Sequence, residues 1–173
     1  MAIDADWIDY WAARYNEDNK GYDDEVLNEV GPGVRECGFY RRADLLTVGR
    51  WKTPRVLPRL DSNTDDMIRD ITSTALAAPQ LIQHLVLTLL HGVGVPMASS
   101  LLMVWEPDEH TVIDVRAVKS LVVNEEIGDP APRLYPPYID YLAVCKAISQ
   151  RCRRTLRMVD RALYKANGRT TET

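Results

Sequence analysis

A glycine turn between two apolar helical segments is the feature that most constrains how this chain folds. Residues 90–102 have the sequence LHGVGVPMASSLL. Because glycine has no Cβ, Gly92 and Gly94 permit positive φ angles and a reversal of the chain within a few residues. Pro96 suits the first turn of a following helix, where its missing N–H costs no hydrogen bond. The pattern predicts two helices joined by a tight turn over about residues 80–104.

The helix before the turn is expected to begin at Pro79 and to bury a broad apolar face. That face comprises Leu81, Ile82, Leu85, Val86, Leu89 and Leu90. The helix after the turn begins with N–H groups that have no intrahelical acceptor, beside a flexible glycine backbone. This combination predicts an anion site, for which a phosphate is suited. The alternative is a tight turn that only joins two core helices.

A carboxylate, Asp114, lies 114 − 94 = 20 residues after the second glycine of the turn. Asp114 ends the short β-like run Thr111–Ile113 and precedes an apolar pattern of helical spacing. It is therefore predicted to cap that helix. Capping alone would explain the residue, but a capping carboxylate faces N–H groups and the positive end of a helix, so capping is compatible with a chemical role.

The rest of the chain is predicted to be almost wholly helical, as a single all-α bundle over residues 1–173. Helices are expected from Trp7 to Tyr15, from Val26 to a stop at Gly31-Pro32-Gly33, over 42–51, 64–78, 96–104 and 115–122, and over 138–149 and 156–166, with a proline-containing loop over 124–137. With 173 residues and 46% hydrophobic content, one core is expected. No membrane-length apolar run or basic leader is present, so we expect a soluble, cytoplasmic protein.

Charge is unevenly distributed along a chain whose formal net charge is −4. Residues 1–29 are acidic, with nine carboxylates against Arg14 and Lys20. The segment 41–59 and the C-terminal helices over 138–169 are basic. If the basic segments share one face, they form an electrostatic footprint for a phosphate backbone; otherwise they are solvated helix faces. The sequence leaves open whether the acidic segment faces away from that footprint or shields it.

Several other chemistries are not supported by the sequence. The glycine turn lacks the further glycine and the Lys-Ser/Thr ending of nucleotide-binding loops. Glu106 and Asp114 lie four residues on either side of His110, but this segment is predicted to be a polar turn and a β-like run, so a helical zinc site is not indicated. Cys37, Cys145 and Cys152 fit neither a disulfide framework nor a metal knuckle. No metal and no cofactor are expected.

The turn, the small residues after it and the trailing aspartate together resemble the helix-hairpin-helix (HhH-GPD) DNA glycosylase superfamily. The resemblance covers about residues 85–122. It implies an all-α fold containing a helix-hairpin-helix motif, duplex DNA with a flipped base as the partner, and base excision with Asp114 as the catalytic carboxylate. It also implies that the hairpin contacts a phosphate through Gly92, Val93, Gly94, Val95 and Ala98.

The resemblance also has departures that narrow the chemistry. Where bifunctional members carry a nucleophilic lysine, this chain has Pro96, so a monofunctional hydrolase of the N-glycosidic bond is implied. The four-cysteine iron–sulfur cluster of some members is absent, and Arg116 stands where a histidine often follows the aspartate.

Further nucleic-acid contacts are predicted from position. Lys52 and Arg55 beside Trp51, and Arg116 and Lys119 after Asp114, are candidates to hold phosphates. The candidate wedge or stacking residues for base flipping are Trp51, Trp105, Tyr40 and Tyr135. Two further hypotheses remain open: a non-enzymatic helix-hairpin-helix module that binds DNA and uses Asp114 only as a cap, and a helical scaffold that touches no nucleic acid.

Overall fold

The computed structural model describes residues 2–167, which form ten α-helices and contain no β-strand. The all-α prediction is confirmed. The helices are α1 (Ala5–Asp18), α2 (Gly31–Cys37), α3 (Arg42–Lys52), α4 (Leu57–Asp61), α5 (Asp65–Ala77), α6 (Gln80–Leu87), α7 (Val95–Trp105), α8 (Val115–Val123), α9 (Tyr138–Cys152) and α10 (Leu156–Ala166). A π-helical turn (Val26–Val30) and a 3-10 turn (Pro54–Val56) complete the regular structure of this range.

The helices group into two compact units. The central unit is formed by Gly21–His110, and the terminal unit by the described residues up to Lys20 and from Thr111 onward. The predicted turn lies in the central unit, whereas Asp114 lies in the terminal unit. The organisation as a single domain over 1–173 stays a prediction.

The core helix of the central unit is α7. Every residue from Met97 to Val104 is buried, as expected for a helix that is apolar on all sides. Helix α7 contacts α2, α3, α6 and the π-helical turn. At Gly31 a Cβ would overlap the carbonyl oxygen of Val104. The start of α2 therefore packs closely on the C-terminal end of α7, whereas the N-terminal end of α7 follows the glycine turn.

The apolar face predicted for α6 is wrong. Leu81, Leu85 and Leu89 are 65%, 53% and 67% exposed, and of the six residues predicted on that face only Leu90 is buried. The inward residues are Gln83, His84 and Leu87. Buried Gln83 donates from Nε2 to the carbonyl oxygen of Leu76, 3.2 Å away at the end of α5. The apolar residues of α6 do recur at helical spacing, but the helix packs on α5 and α7 with its opposite side, which carries Gln83 and His84.

The predicted stop at Gly31-Pro32-Gly33 is also wrong. The π-helical turn before it runs directly into α2, and Gly31 has ordinary right-handed helical angles. Pro32 lies in the first turn of α2. Helix α2 ends instead at Gly38, which has a positive φ of 77°.

In the terminal unit, α10 packs against α1, α8 and α9. The buried side of α10 carries Leu156, Val159, Ala162 and Leu163. Two acidic residues of α1 pair with basic residues near or on α10: Asp9 with Arg154 at 2.5 Å, and Asp18 with Lys165. The acidic N-terminal segment thus neutralises part of the basic C-terminal segment.

Candidate functional site: the glycine turn and Asp114

The two glycines of the turn occupy different backbone environments. Gly92 has a φ of +87°, and a Cβ there would lie 2.8 Å from Cβ of Arg59 and 3.2 Å from the backbone nitrogen of Leu60. Both the φ angle and the contact require glycine at this position. Gly94 has a φ of −91°, and the nearest atom to a Cβ would be Cδ of Pro96 at 3.9 Å. Gly94 is therefore open toward solvent, while Gly92 is packed against the end of α4.

Asn63 holds the turn in place. Its Oδ1 accepts from the backbone nitrogen of His91 at 2.8 Å, and its Nδ2 donates to the carbonyl oxygen of His91 at 2.9 Å. The same Nδ2 donates to the carbonyl oxygen of Leu60 at 2.9 Å. Asn63 is buried, so these bonds are shielded from water. The side chain thereby clamps both backbone groups of the residue before Gly92.

Arg42 in turn holds the loop that carries Asn63. Its guanidinium pairs with Asp61 at 2.8 Å and with Asp65 at 2.7 Å, and it donates to the carbonyl oxygen of Asn63 at 2.5 Å. These bonds keep the pKa of Arg42 above its ordinary value, chiefly through the hydrogen bonds to Asp65 and Asp61. Arg42 is consequently a structural residue of the loop, although it belongs to the basic segment 41–59.

The start of α7 presents unbonded N–H groups next to Gly94. The Gly94 carbonyl accepts the helical bond from Ala98 at 2.9 Å, and no side chain caps the helix. Within residues 2–167, no acceptor is described for the N–H groups of Val95 and Met97. The N–H of Val93, by contrast, is used by the carbonyl oxygen of Leu90 at 3.1 Å. In the predicted contact set, the exposed Gly94 and the half-buried Val95 therefore lie at the part of the turn where backbone N–H groups have no described acceptor.

The other predicted members of that set have mainly packing roles. The side chains of Val93 and Ala98 are buried, at 5% and 0% exposure. Ala98 lies inside α7, where a small side chain permits close packing. Gly92 is enclosed by α4 as described above.

A shallow groove runs along the turn and includes a cation that the sequence alone did not single out. Its lining comprises Arg59, Met67 and residues 88–94. Arg59 is exposed, and its Cβ lies against Gly92. The signal for Arg59 was present in the basic segment 41–59, but its contact with the turn depends on α4. Asn63 directly precedes the helix predicted over 64–78, and Thr64 caps that helix.

Lys52 and Arg55 lie at a second surface of the central unit, around the end of α3. Trp51 donates from Nε1 to Asp23 at 3.1 Å, and its ring lies 6.3 Å from that of Tyr22. Tyr22 donates to the Trp51 carbonyl oxygen at 2.5 Å and is half exposed. Lys52 is half-buried, and Arg55 is exposed. The structure thus fixes the Trp51 ring by contacts with Asp23 and Tyr22.

Asp114 caps α8, as the sequence predicts. Its Oδ1 accepts from the backbone nitrogens of Arg116 at 2.8 Å and Ala117 at 2.9 Å. The preceding segment is held by two buried hydroxyl groups of α9. Tyr138 donates to the carbonyl oxygen of Thr111 at 3.1 Å, and Tyr141 to that of Val112 at 3.0 Å. The half-buried carboxylate is therefore mounted on a rigid backbone.

The structure brings Tyr135 into the electrostatic neighbourhood of Asp114. Burial raises the pKa of Tyr135, and the negative charge of Asp114 raises it further. Of the two predicted cations on α8, Arg116 lies over the ring of Tyr164, with 4.8 Å between Cζ and the centroid, and Lys119 is exposed. The terminal unit therefore places an aromatic side chain and two cations in the region of the predicted catalytic residue.

Two expectations about site residues need correction. Tyr40 is wholly buried and donates to the carbonyl oxygen of Leu101 at 2.6 Å, so it is not available as a wedge. The basic C-terminal segment is not an open footprint, because Arg151 pairs with Glu126, Arg154 with Asp9 and Arg157 with Asp160. Arg169 lies outside the described residues.

Trp105 is half-buried, and its ring lies 6.1 Å from that of His110.

Searches for other kinds of site and for relatives gave no match. Within residues 2–167, no group of three or more His, Cys, Asp or Glu side chains is arranged to hold a metal ion. In the same range, no helix has the length and apolar character that crossing a bilayer requires. No protein-family model, curated protein or solved structure matches the chain.

Proposed function

We propose that the chain is a DNA-binding, monofunctional glycosylase-like hydrolase that grips a phosphate at the glycine turn and acts through Asp114. The observation that supports this most strongly is the turn itself. Gly92 is required by backbone geometry, Gly94 leaves the start of α7 open, and Arg59 stands exposed beside them. Unbonded N–H groups, a helix N-terminus and a guanidinium are the donors that a phosphate oxygen accepts.

The cations proposed to contact phosphates are found in each of the two units. Lys52, Arg55 and Arg59 belong to the central unit, and Arg116 and Lys119 follow Asp114 in the terminal unit. Contacts of this kind position a protein on the backbone without specifying a sequence. The fold would therefore bind duplex DNA in a manner that weakens steeply as salt is raised.

The proposed chemistry is hydrolysis at an extruded nucleotide. As the N-glycosidic bond breaks, the base leaves with the bonding electron pair and positive charge develops on the sugar. The Asp114 carboxylate would stabilise that charge and orient the water whose oxygen bonds to the anomeric carbon, while a water proton is taken up by the departing base. The products are a free base and an abasic site. Extrusion costs a few kcal/mol, and Trp51, Trp105 and Tyr135 are the remaining candidates to offset it by stacking.

A second candidate is a non-enzymatic module that binds DNA through the same turn. The observation in its favour is that Asp114 makes two capping bonds, which are sufficient to explain an aspartate at this position. In this case the turn keeps its role, and no base is released.

Base release from a panel of duplexes tests the proposal. Duplexes with deaminated, alkylated, oxidised or mismatched bases are incubated with the protein, and abasic sites are converted to strand breaks with alkali. Asp114→Asn is the informative variant, because asparagine also caps helices well and should preserve α8. We expect breaks with the wild-type protein, loss of breaks with the variant, and DNA affinity that is unchanged or higher.

The remaining outcomes separate the hypotheses. Salt-dependent binding without breaks on any duplex would favour the module. Breaks that persist in Asp114→Asn would contradict the role of this carboxylate. Weak binding that does not respond to salt would contradict both candidates and favour a scaffold that touches no nucleic acid.

A further inference from the structure

The imidazole ring of His91 is oriented by Ser62. Nδ1 of His91 lies 2.7 Å from Oγ of Ser62, and the same Oγ donates to the carbonyl oxygen of Arg59 at 2.7 Å. Because a hydroxyl group has only one proton to donate, its bond with the ring is donated by the N–H at Nδ1. The neutral ring then carries a lone pair at Nε2, and Nε2 becomes a donor only when the ring is protonated.

His91 directly precedes Gly92 and lines the groove along the turn together with Arg59 and Gly94. Its side chain is exposed, while Asn63 bonds both of its backbone groups. Within residues 2–167, Ser62 is the hydrogen-bond partner described for the ring. A ring that is fixed at its backbone and at Nδ1 therefore leaves Nε2 available to a ligand in the groove.

The charges around His91 favour an anion in the groove. The charged residues of the adjoining helices are Arg59 and Asp61 on α4, and Asp65, Asp66, Arg69 and Asp70 on α5. The four carboxylates are engaged: Arg42 pairs with Asp61 and Asp65, and Arg69 pairs with Asp66 and Asp70. Helices α6 and α7 contribute no charge, because residues 71–105 contain no Asp, Glu, Lys or Arg. In the described part of the chain, Arg59 is the adjoining charge that has no described ion pair.

A proton on His91 and an anion in the groove would stabilise each other. Without an anion, the charge of the imidazolium is added to that of Arg59, and a like charge disfavours protonation. A phosphate in contact with both groups favours the protonated ring and accepts the N–H from Nε2. Because the coupling is reciprocal, a ligand that promotes protonation of the ring is bound more tightly as the pH falls.

We propose that His91 is a further phosphate ligand of the glycine turn, which contacts a DNA phosphate through Nε2 only in its protonated form. This inference rests on the proposed DNA binding, but on neither Asp114 nor base release. DNA affinity should therefore rise as the pH falls through the range in which histidines change charge, about pH 8 to 5. Arg59 holds the same phosphate at every pH in this range, because a guanidinium remains protonated.

Anisotropy titrations with a labelled, undamaged duplex test the proposal at about pH 8 and about pH 5.5. We expect the wild type to bind about tenfold more tightly at the lower pH, as one added charge-assisted hydrogen bond provides. His91→Gln should bind at both pH values as the wild type does at the higher one, because its amide stays neutral. The buried His84 and His110 are retained in this variant, so any pH dependence that they cause remains in it.

Nuclear magnetic resonance gives a readout that a purely structural role of His91 would not change. The imidazole signal that is missing from the spectrum of His91→Gln should titrate at a higher pH with the duplex bound than in the free protein. Circular dichroism at both pH values checks that the helices are retained.

The outcomes separate this inference from the function on which it rests. A His91→Gln variant that keeps the full gain in affinity at low pH, or an imidazole titration that the duplex does not move, overturns the role of His91 while DNA binding stands. Binding that is absent, or that does not respond to salt at either pH, overturns the proposed DNA binding and this inference together.

Discussion

At the scale of single residues, the turn is defined by two glycines that serve different purposes. Gly92 is fixed by its φ of +87° and by the approach of Arg59, so a side chain there disturbs the fold. Gly94 has a negative φ and no close neighbour, so the fold does not require glycine there. Its lack of a side chain instead leaves room for a ligand to approach the backbone. The sequence predicts a phosphate contact for both glycines. The geometry assigns Gly92 to packing and leaves Gly94 to the proposed contact.

The matched pair Gly92→Ala and Gly94→Ala separates these purposes. We expect Gly92→Ala to lower the free energy of unfolding by about 2 kcal/mol, from the strained φ and the contact with α4. Gly94→Ala should change it by less than about 0.5 kcal/mol. Urea unfolding measures both. If DNA contacts Gly94 closely, the Gly94 variant alone should bind more weakly while remaining as stable as the wild type. Equal stability losses would contradict this assignment.

Asn63 shows why some site residues could not be found from the sequence. Its amide group bonds both backbone groups of His91, which is far along the chain. A pattern of local spacing identifies capping residues but not the distant turn that they support. Replacing Asn63 with Asp keeps the acceptor but removes the donor to His91 and Leu60, and should cost about 1–3 kcal/mol in urea unfolding. The two side chains have the same shape, so the loss reports the missing donor together with the negative charge that aspartate places beside these carbonyl oxygens, and an unchanged stability would contradict the clamp.

At the scale of elements, the boundaries of the helices were largely predictable, but the inward face of α6 was not. Caps and breakers act within a few residues, which is why α3, α5, α8 and α9 begin close to their predicted positions. The orientation of α6 depends on contacts with α5 and α7, which bury the side that carries Gln83 and His84 and leave exposed the leucines whose periodic spacing predicted the opposite. The contact of Arg59 with the turn could not be predicted either, because it depends on how α4 packs against Gly92.

Glu126 links the backbone of Ile3 to Arg151 of α9, and this link predicts that the stability of the fold depends on pH. Burial acts to raise the pKa of Glu126, but hydrogen bonds from Arg151 and the Ile3 backbone N–H, with the charge of Arg151, hold it below its ordinary value of 4.5. A carboxyl group whose pKa is lower in the folded state stabilises the fold above its unfolded pKa and loses this effect as pH falls through the folded pKa. Glu126→Gln should therefore cost about 1 kcal/mol at pH 7.

Urea unfolding of the wild type and Glu126→Gln at several pH values measures this effect. The difference between them should shrink as the pH is lowered below 4.5, because protonation removes the same charge that the substitution removes. A difference that stays constant over this range would show that Glu126 stabilises the fold by shape and not by charge.

The two basic segments are expected to contribute unequally to DNA binding. Arg59 is exposed beside the turn, whereas Arg154 is held by Asp9. Arg59→Gln should reduce the slope of log affinity against log salt by about 1, as the loss of one phosphate contact does. Arg154→Gln is the matched control and should leave the slope unchanged. Fluorescence anisotropy with a labelled duplex measures the slopes, and a larger effect at Arg154 would place the binding surface on the terminal unit.

At the scale of the whole molecule, a net charge of −4 is compatible with a DNA-binding surface because the acidic residues are partly engaged inside the terminal unit. Asp9 and Asp18 pair with basic residues, and Asp6 and Glu17 are exposed on α1. Counterion release depends on phosphates that are contacted directly, not on total charge. The number of acidic and basic residues can be read from the sequence. Which of them form ion pairs depends on the packing of α1 on α10.

The exposed acidic residues of α1 are expected to affect DNA affinity through their charge and not through direct contact. The double variant Asp6→Asn, Glu17→Gln brings the formal charge to −4 + 2 = −2, and we expect it to raise DNA affinity only modestly while leaving the salt slope unchanged. The slope reports the number of phosphate contacts, whereas charges that contact no phosphate act through a field that is screened beyond about 8 Å at physiological salt. Anisotropy titrations over a range of salt concentrations measure both quantities. A changed slope would mean that α1 lies within the DNA contact itself, and the acidic segment would then have to be treated as part of the binding surface.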